Sequence, residues 1–132
     1  MTAAAKNLTP VVLELGGKNP TIVHSSANLK VAARRIAFGR WVNCGQSCTA
    51  PDYALVFKDV AAKLLKHLQE TLIEFYGDDP QKSPDLGRIV SAHHFDRLVR
   101  LLDSGTRRGQ VAVAGGTSGS AQQRTQLCNR QK

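Results

Sequence analysis

The stretch Trp41-Val-Asn-Cys-Gly-Gln-Ser-Cys-Thr-Ala-Pro-Asp-Tyr53 joins a segment with helical periodicity to a continuous apolar run of strand length, Tyr53-Ala-Leu-Val-Phe57. Upstream of it, apolar residues recur at the spacing of a helix face: Leu29, Ala32, Ala33, Ile36 and Ala37. Ser26 or Asn28 is placed to cap that helix. The stretch therefore predicts a loop, bounded by Gly and Pro, that leads from a helix into a strand.

The flanking segments continue this alternation of strands and helices. Short strands are predicted at residues 11–15, 21–23, 53–57 and 111–114. A second helix is predicted to start at Asp59 as its N-cap and to end at Gly77, with a buried stripe formed by Val60, Ala61, Leu64, Leu65, Leu68, Leu72 and Phe75. A third helix is predicted over residues 91–103, with a stripe formed by Phe95, Leu98, Val99 and Leu102. The pattern predicts α/β architecture with a largely parallel sheet.

Cys48 is the first candidate functional residue, because a thiol held on a loop between rigid elements is well placed to act as a nucleophile. The competing interpretation is that Cys48 is a small buried hydrophobe. Cys44 is predicted to be passive, with a resolving role under oxidation as its alternative.

Glu14 is the second candidate. It interrupts the strand-like run Val11-Val-Leu-Glu-Leu-Gly-Gly-Lys18, where a buried apolar side chain is expected. Such a carboxylate is either paired structurally or desolvated, and desolvation suits a general base.

Taken together, the Leu-Glu-Leu-Gly-Gly-Lys motif and the Gly-Gln-Ser-Cys motif about thirty residues later resemble the aldehyde dehydrogenase superfamily. Further segments resemble its class 3 branch: Met1-Thr-Ala-Ala-Ala-Lys6, Leu8-Thr-Pro10, Ala50-Pro-Asp-Tyr53, Glu74-Phe-Tyr-Gly77 and Gly87-Arg-Ile89. The resemblance extends over residues 1–116. It implies a partial aldehyde dehydrogenase-like fold, incomplete, with a largely parallel sheet and flanking helices.

The resemblance also implies a chemistry. Cys48 would attack an aldehyde to form a thiohemiacetal, which is oxidised to a thioester, and Glu14 would activate the water that releases the carboxylic acid. NAD or NADP is the implied cofactor, with Leu15 and Gly16 beside the nicotinamide and the main binding motif absent from this sequence. Family members form homodimers.

Three regions follow from the resemblance. Residues 1–18 correspond to the end of a cofactor-binding domain with the catalytic Glu motif, residues 19–116 to a partial catalytic domain, and residues 117–132 to a divergent tail predicted to be disordered. Without a dinucleotide platform the isolated chain is expected to be inactive. The alternative is a non-catalytic truncated form that interacts with full-length subunits.

Composition excludes several other classes. Most of the net charge of +8 comes from residues 97–132, which lack aromatic residues for stacking on bases, so nucleic-acid binding is not predicted. No apolar run approaches the roughly twenty residues of a membrane span. Three cysteines without framework spacing predict a reducing, cytoplasmic location. His93 and His94 diverge by about 100° on a helix, so no metal site is predicted.

Overall fold

The computed structural model describes residues 1–107. Its elements in chain order are helix α1 (Thr2–Ala5), strand β1 (Asn19–Val23), helix α2 (Leu29–Trp41), a 3-10 turn (Val42–Gly45), strand β2 (Pro51–Val56), helix α3 (Lys58–Tyr76) and helix α4 (Ala92–Arg107).

Strands β1 and β2 are hydrogen-bonded neighbours in a parallel two-stranded sheet, and α2 is the crossover between them. Ile22 lies opposite Leu55 and Val23 opposite Val56, while the register shifts between Asn19 and Pro20. Parallel strands need a long crossover, which a helix supplies. This β1-α2-β2 unit confirms the predicted α/β class and the parallel sheet.

The core forms where α2 and α3 pack together over one face of the sheet. Its buried members are Val23 from β1, Ala33 from α2 and Leu64 from α3. Half-buried side chains surround them: Ala27, Leu29, Ala32, Ile36, Val56 and Leu68. Because Ala33 and Ala37 are small and fully buried, α2 approaches its neighbours closely.

Two predicted helix ends are confirmed and one is wrong. Asn28 caps α2, since its Oδ1 accepts from the Val31 backbone N–H at 3.1 Å. Gly77 ends α3 with φ of 76°, a conformation that favours glycine. The N-cap of α3 is Phe57 rather than Asp59, which lies in the first turn, where a carboxylate complements the helix dipole.

The strand predicted at residues 11–15 is not formed. This segment has no strand partner among the described residues, and its side chains are exposed. A segment without a neighbouring strand gains no ladder hydrogen bonds, so its apolar composition does not suffice to make it a strand.

Helix α4 runs four residues further than predicted, to Arg107. Its stripe is only partly buried, because Phe95, Leu98 and Val99 are half-covered whereas Leu102 is 41% exposed. On α3 the predicted positions Ala61 and Leu65 are exposed, and Thr71 is buried instead.

The predicted strand at 111–114 and the predicted disordered tail lie outside the described residues. Within residues 1–107, no helix has the length and apolar character that crossing a bilayer requires.

Candidate active site

The loop that carries Cys48 begins with an abrupt left-handed turn after α2. Asn43 and Cys44 have φ of 52° and 56°, and Gly45 follows at 76°. Each non-glycine residue in this region costs of order 1–3 kcal/mol, so contacts elsewhere must hold the turn.

One such contact comes from Gly87. A Cβ built on Gly87 would lie 3.3 Å from the backbone N of Cys44, which is tight for any side chain. The absence of a side chain there lets the segment after α3 press against the turn.

Cys48 itself is exposed to solvent. Its backbone N–H makes no hydrogen bond within residues 1–107, whereas its carbonyl oxygen accepts from Asn19 Nδ2 at 2.8 Å. The same Nδ2 donates to the carbonyl of Ala50 at 3.0 Å. The carbonyl of Cys48 is therefore fixed, whereas its backbone N–H has no partner among the described residues.

Gly17 places the Leu-Glu-Leu-Gly-Gly-Lys motif in contact with the Gly-Gln-Ser-Cys motif. A Cβ on Gly17 would lie 1.9 Å from the carbonyl oxygen of Cys48, so only glycine fits there. The Gly-Gly-Lys end of the first motif and the Cys48 loop are thus in contact, as a site built from both motifs requires.

The predicted residues upstream of Gly17 lie open to solvent. Leu15 is 77% exposed, and a Cβ on Gly16 would meet nothing within 4 Å. Glu14 is also exposed, so desolvation, one of the two alternatives predicted for it from the sequence, is wrong. Its role as a base, and those of Leu15 and Gly16 as cofactor contacts, stay predictions.

Cys44 occupies a different environment from Cys48. It is half-buried, and burial raises the pKa of its thiol, while the positive charges of Arg88 and Arg40 oppose that rise. A raised pKa leaves less thiolate at neutral pH, so Cys44 is a poor nucleophile there.

Arg40 ties the end of α2 to the start of β2. Its Nη1 donates to the carbonyl of Pro51 at 3.3 Å and lies 3.9 Å from the carboxylate of Asp52. Both ends of the loop from residue 41 to 50 are thereby connected to each other.

Two residues that hold the loop were not singled out from the sequence. Asn19 binds the Cys48 and Ala50 carbonyls, and Gln46 binds the segment around residues 88–90. A polar side chain directly after the Gly-Gly-Lys motif and another inside the Gly-Gln-Ser-Cys motif were the available signals.

The segment that carries the predicted cofactor contacts is open to solvent, since residues 14–17 are all exposed. Helix α1 has four residues and supplies no phosphate-binding N-terminus. In the same part of the chain, no three His, Cys, Asp or Glu side chains converge to hold a metal ion.

Comparison with known proteins identifies the architecture around this loop. The model of the aldehyde dehydrogenase family matches residues 1–128. The chain belongs to the aldehyde dehydrogenase family. Its curated relatives include class 3 members, as the segments around the two motifs predicted.

Aldehyde dehydrogenase family 3 member B1 of Homo sapiens is 51% identical over 115 residues, which cover 87% of this chain and 24% of the relative. The dimeric NADP-preferring aldehyde dehydrogenase of Canis lupus familiaris is 47% identical over 121 residues, covering 92% and 26%. The chain thus spans about a quarter of the length of these relatives.

A solved structure gives the same result for the fold. The substrate-bound state of Staphylococcus aureus AldH superposes with a TM-score of 0.78 at 50% identity, covering 89% of this chain and 25% of that one. The fold is therefore a part of the aldehyde dehydrogenase fold, as predicted.

Proposed function

We propose that this chain carries the nucleophile and the general base of NAD(P)-dependent aldehyde oxidation. The observation that carries the proposal is the contact of Gly17 and Asn19 with the Cys48 backbone, which joins the two motifs. The exposure of Cys48 supports it, because the thiol is open to a substrate.

In the proposed reaction the Cys48 thiolate attacks the aldehyde carbonyl, and the carbonyl oxygen becomes an oxyanion. The Cys48 backbone N–H is unpaired within residues 1–107 and is a suitable donor to that oxyanion. Loss of hydride converts the thiohemiacetal into a thioester, and accepting that hydride is the chemistry that NAD or NADP supplies when bound. Glu14 then takes a proton from water as the water attacks the thioester, which releases the carboxylic acid and the Cys48 thiol.

Oxidation by the isolated chain is not expected. Hydride transfer requires the acceptor to be held against the substrate, and proximity supplies a large part of the rate. The predicted cofactor contacts Leu15 and Gly16 lie on an exposed segment, so the proposal confines this chain to the thiol and base steps. Formation of NADH or NADPH from an aldehyde by the purified 132-residue chain would contradict this part.

An activated ester tests the thiol and base steps without a cofactor. The Cys48 thiolate attacks p-nitrophenyl acetate, the C–O bond breaks, and p-nitrophenolate leaves as the thioester forms. We expect a burst of p-nitrophenolate that Cys48→Ser abolishes. Glu14→Gln is expected to keep the burst and to slow the later hydrolysis by about 10²-fold, the usual contribution of a general base. A burst of equal size in Cys48→Ser would refute the proposal.

The second candidate is a non-catalytic form that pairs with full-length subunits. The uncovered face of the sheet favours it, because the cross-strand neighbours Ile22 and Leu55 are 72% and 55% exposed. Co-purification with a full-length class 3 relative, lost in the double variant Ile22→Lys/Leu55→Lys, would support this candidate. A chain that binds no such subunit would remove it.

A further inference from the structure

Both the nitrogen and the oxygen of the Gln46 side-chain amide form hydrogen bonds. Its Nε2 donates to the carbonyls of Asn43 and Arg88, both at 2.9 Å. Its Oε1 accepts from the backbone N–H of Val90 at 2.9 Å. A glutamine amide offers two donor hydrogens and one carbonyl oxygen, and all of them are engaged here.

The segment that receives these bonds is itself held in place. The Arg88 guanidinium donates to the carbonyl of Leu86 at 2.6 Å and to the carbonyl of Gln81 at 2.7 Å. Gly87 packs against the backbone of Asn43 and Cys44. Residues 86–90 thus form a fixed support for the loop.

Gln46 also closes the left-handed turn before Cys48. Its backbone N–H donates to the Asn43 carbonyl at 3.2 Å, and its own carbonyl accepts from Asn43 Nδ2 at 3.0 Å. The side chain and the main chain of Gln46 therefore fix the same turn, and they attach it to the support at residues 88–90.

Cys48 lies between two such attachments. Gln46 is anchored two residues before it, and Asn19 anchors its carbonyl. With both sides held, the peptide that carries the Cys48 N–H has little freedom to rotate. Orientation of that N–H matters in a reaction that builds an oxyanion, and it does not matter in one that builds none.

We propose that Gln46 is a positioning residue that sets the direction of the Cys48 backbone N–H through its bonds to Arg88 and Val90. The inference rests on the proposed role of Cys48 as nucleophile. Gln46 touches neither substrate nor thiol in this role, because it acts through the loop backbone.

The test compares two reactions of Cys48 in the full 132-residue chain. Acylation by p-nitrophenyl acetate passes through an oxyanion, whereas alkylation by iodoacetamide displaces iodide and forms none. Gln46→Met removes all three side-chain hydrogen bonds while keeping a side chain of similar length. Gln46→Glu keeps the acceptor for the Val90 N–H but loses both donors. Gln69→Glu, at an exposed position on α3, is the control for the charge.

We expect both Gln46 variants to slow acylation of Cys48 about ten-fold, within the range that misplacement of a reacting group costs. Alkylation of Cys48 is expected to keep its wild-type rate, and Gln69→Glu to match wild type in both reactions. Unchanged acylation in both Gln46 variants overturns the inference. Equal slowing of acylation and alkylation of Cys48 also overturns the inference, because Gln46 would then only maintain the fold. If wild type shows no burst beyond Cys48→Ser, the proposed function itself fails, which is a separate result.

Discussion

Asn19 donates both of its side-chain amide hydrogens to the Cys48 loop, at 2.8 Å to the Cys48 carbonyl and at 3.0 Å to the Ala50 carbonyl. This side chain lies at the start of β1, at the point where the register to β2 shifts. It therefore connects the position of the candidate nucleophile to the sheet.

Replacement of Asn19 by Asp is expected to loosen this connection. A carboxylate donates no hydrogen bond and would face two carbonyl oxygens, so the expected loss is about 1–3 kcal/mol in the free energy of unfolding. Urea denaturation measures it. Asn7→Asp, which makes the same change at an exposed residue, is expected to have almost no effect. Equal losses in the two variants would contradict the role of Asn19.

The adjacent glycines Gly16 and Gly17 offer a matched pair. Gly17→Ala would put a Cβ 1.9 Å from the Cys48 carbonyl oxygen, whereas Gly16→Ala would meet nothing within 4 Å. We expect Gly17→Ala to destabilise the chain by about 1–3 kcal/mol through forced backbone shifts, and Gly16→Ala to be tolerated. Thermal unfolding of the two variants checks this. The same stability in both would mean that Gly17 does not pack on Cys48.

The two loop cysteines are expected to react at different rates. Cys48 is exposed, whereas burial raises the pKa of Cys44. At neutral pH iodoacetamide is therefore expected to label Cys48 first, and labelling of Cys44 is expected to accelerate as the pH rises through its raised pKa. Mass spectrometry of peptides from a pH series measures both rates. Faster labelling of Cys44 at neutral pH would contradict the structure.

The ion pair between Arg34 and Glu74 connects α2 to α3, and the Arg34 guanidinium also lies 5.1 Å from the ring centroid of Phe75. A hydrogen bond from Arg34 lowers the pKa of Glu74. Because the pKa is lowered, the ion pair contributes to stability above the ordinary pKa of a glutamate, and this contribution is lost as the pH falls through the lowered pKa.

Glu74→Gln is therefore expected to lower the melting temperature slightly at neutral pH, and this deficit is expected to shrink as the pH falls through the lowered pKa of Glu74. Glu70→Gln serves as a comparison, because Glu70 pairs only within α3, with Lys66 and His67, among the described contacts. A Glu74→Gln deficit that persists unchanged in acid would show that the charge of Glu74 is not its cause.

The sequence by itself determined those features that neighbouring residues create. The apolar spacing at Ala33 and Ala37 predicted α2, and Gly77 predicted the end of α3. For the cap of α2 the sequence offered two candidates, Ser26 and Asn28, and the structure selects Asn28. The motifs around Glu14 and Cys48 were sufficient to predict the family. Each of these signals is local, because helix periodicity, caps and short motifs depend on residues a few positions apart.

Only the tertiary structure decided how the Cys48 loop is held and which segments are buried from solvent. Asn19 reaches the Cys48 carbonyl across 29 positions and Gln46 reaches Val90 across 44, and no local pattern encodes such distances. The run at residues 11–15 has strand composition but no strand partner among the described residues, and Glu14 is exposed there. A strand requires a second strand beside it, and a buried carboxylate requires side chains that cover it. Both come from distant parts of the chain, so the tertiary structure determines whether they are present.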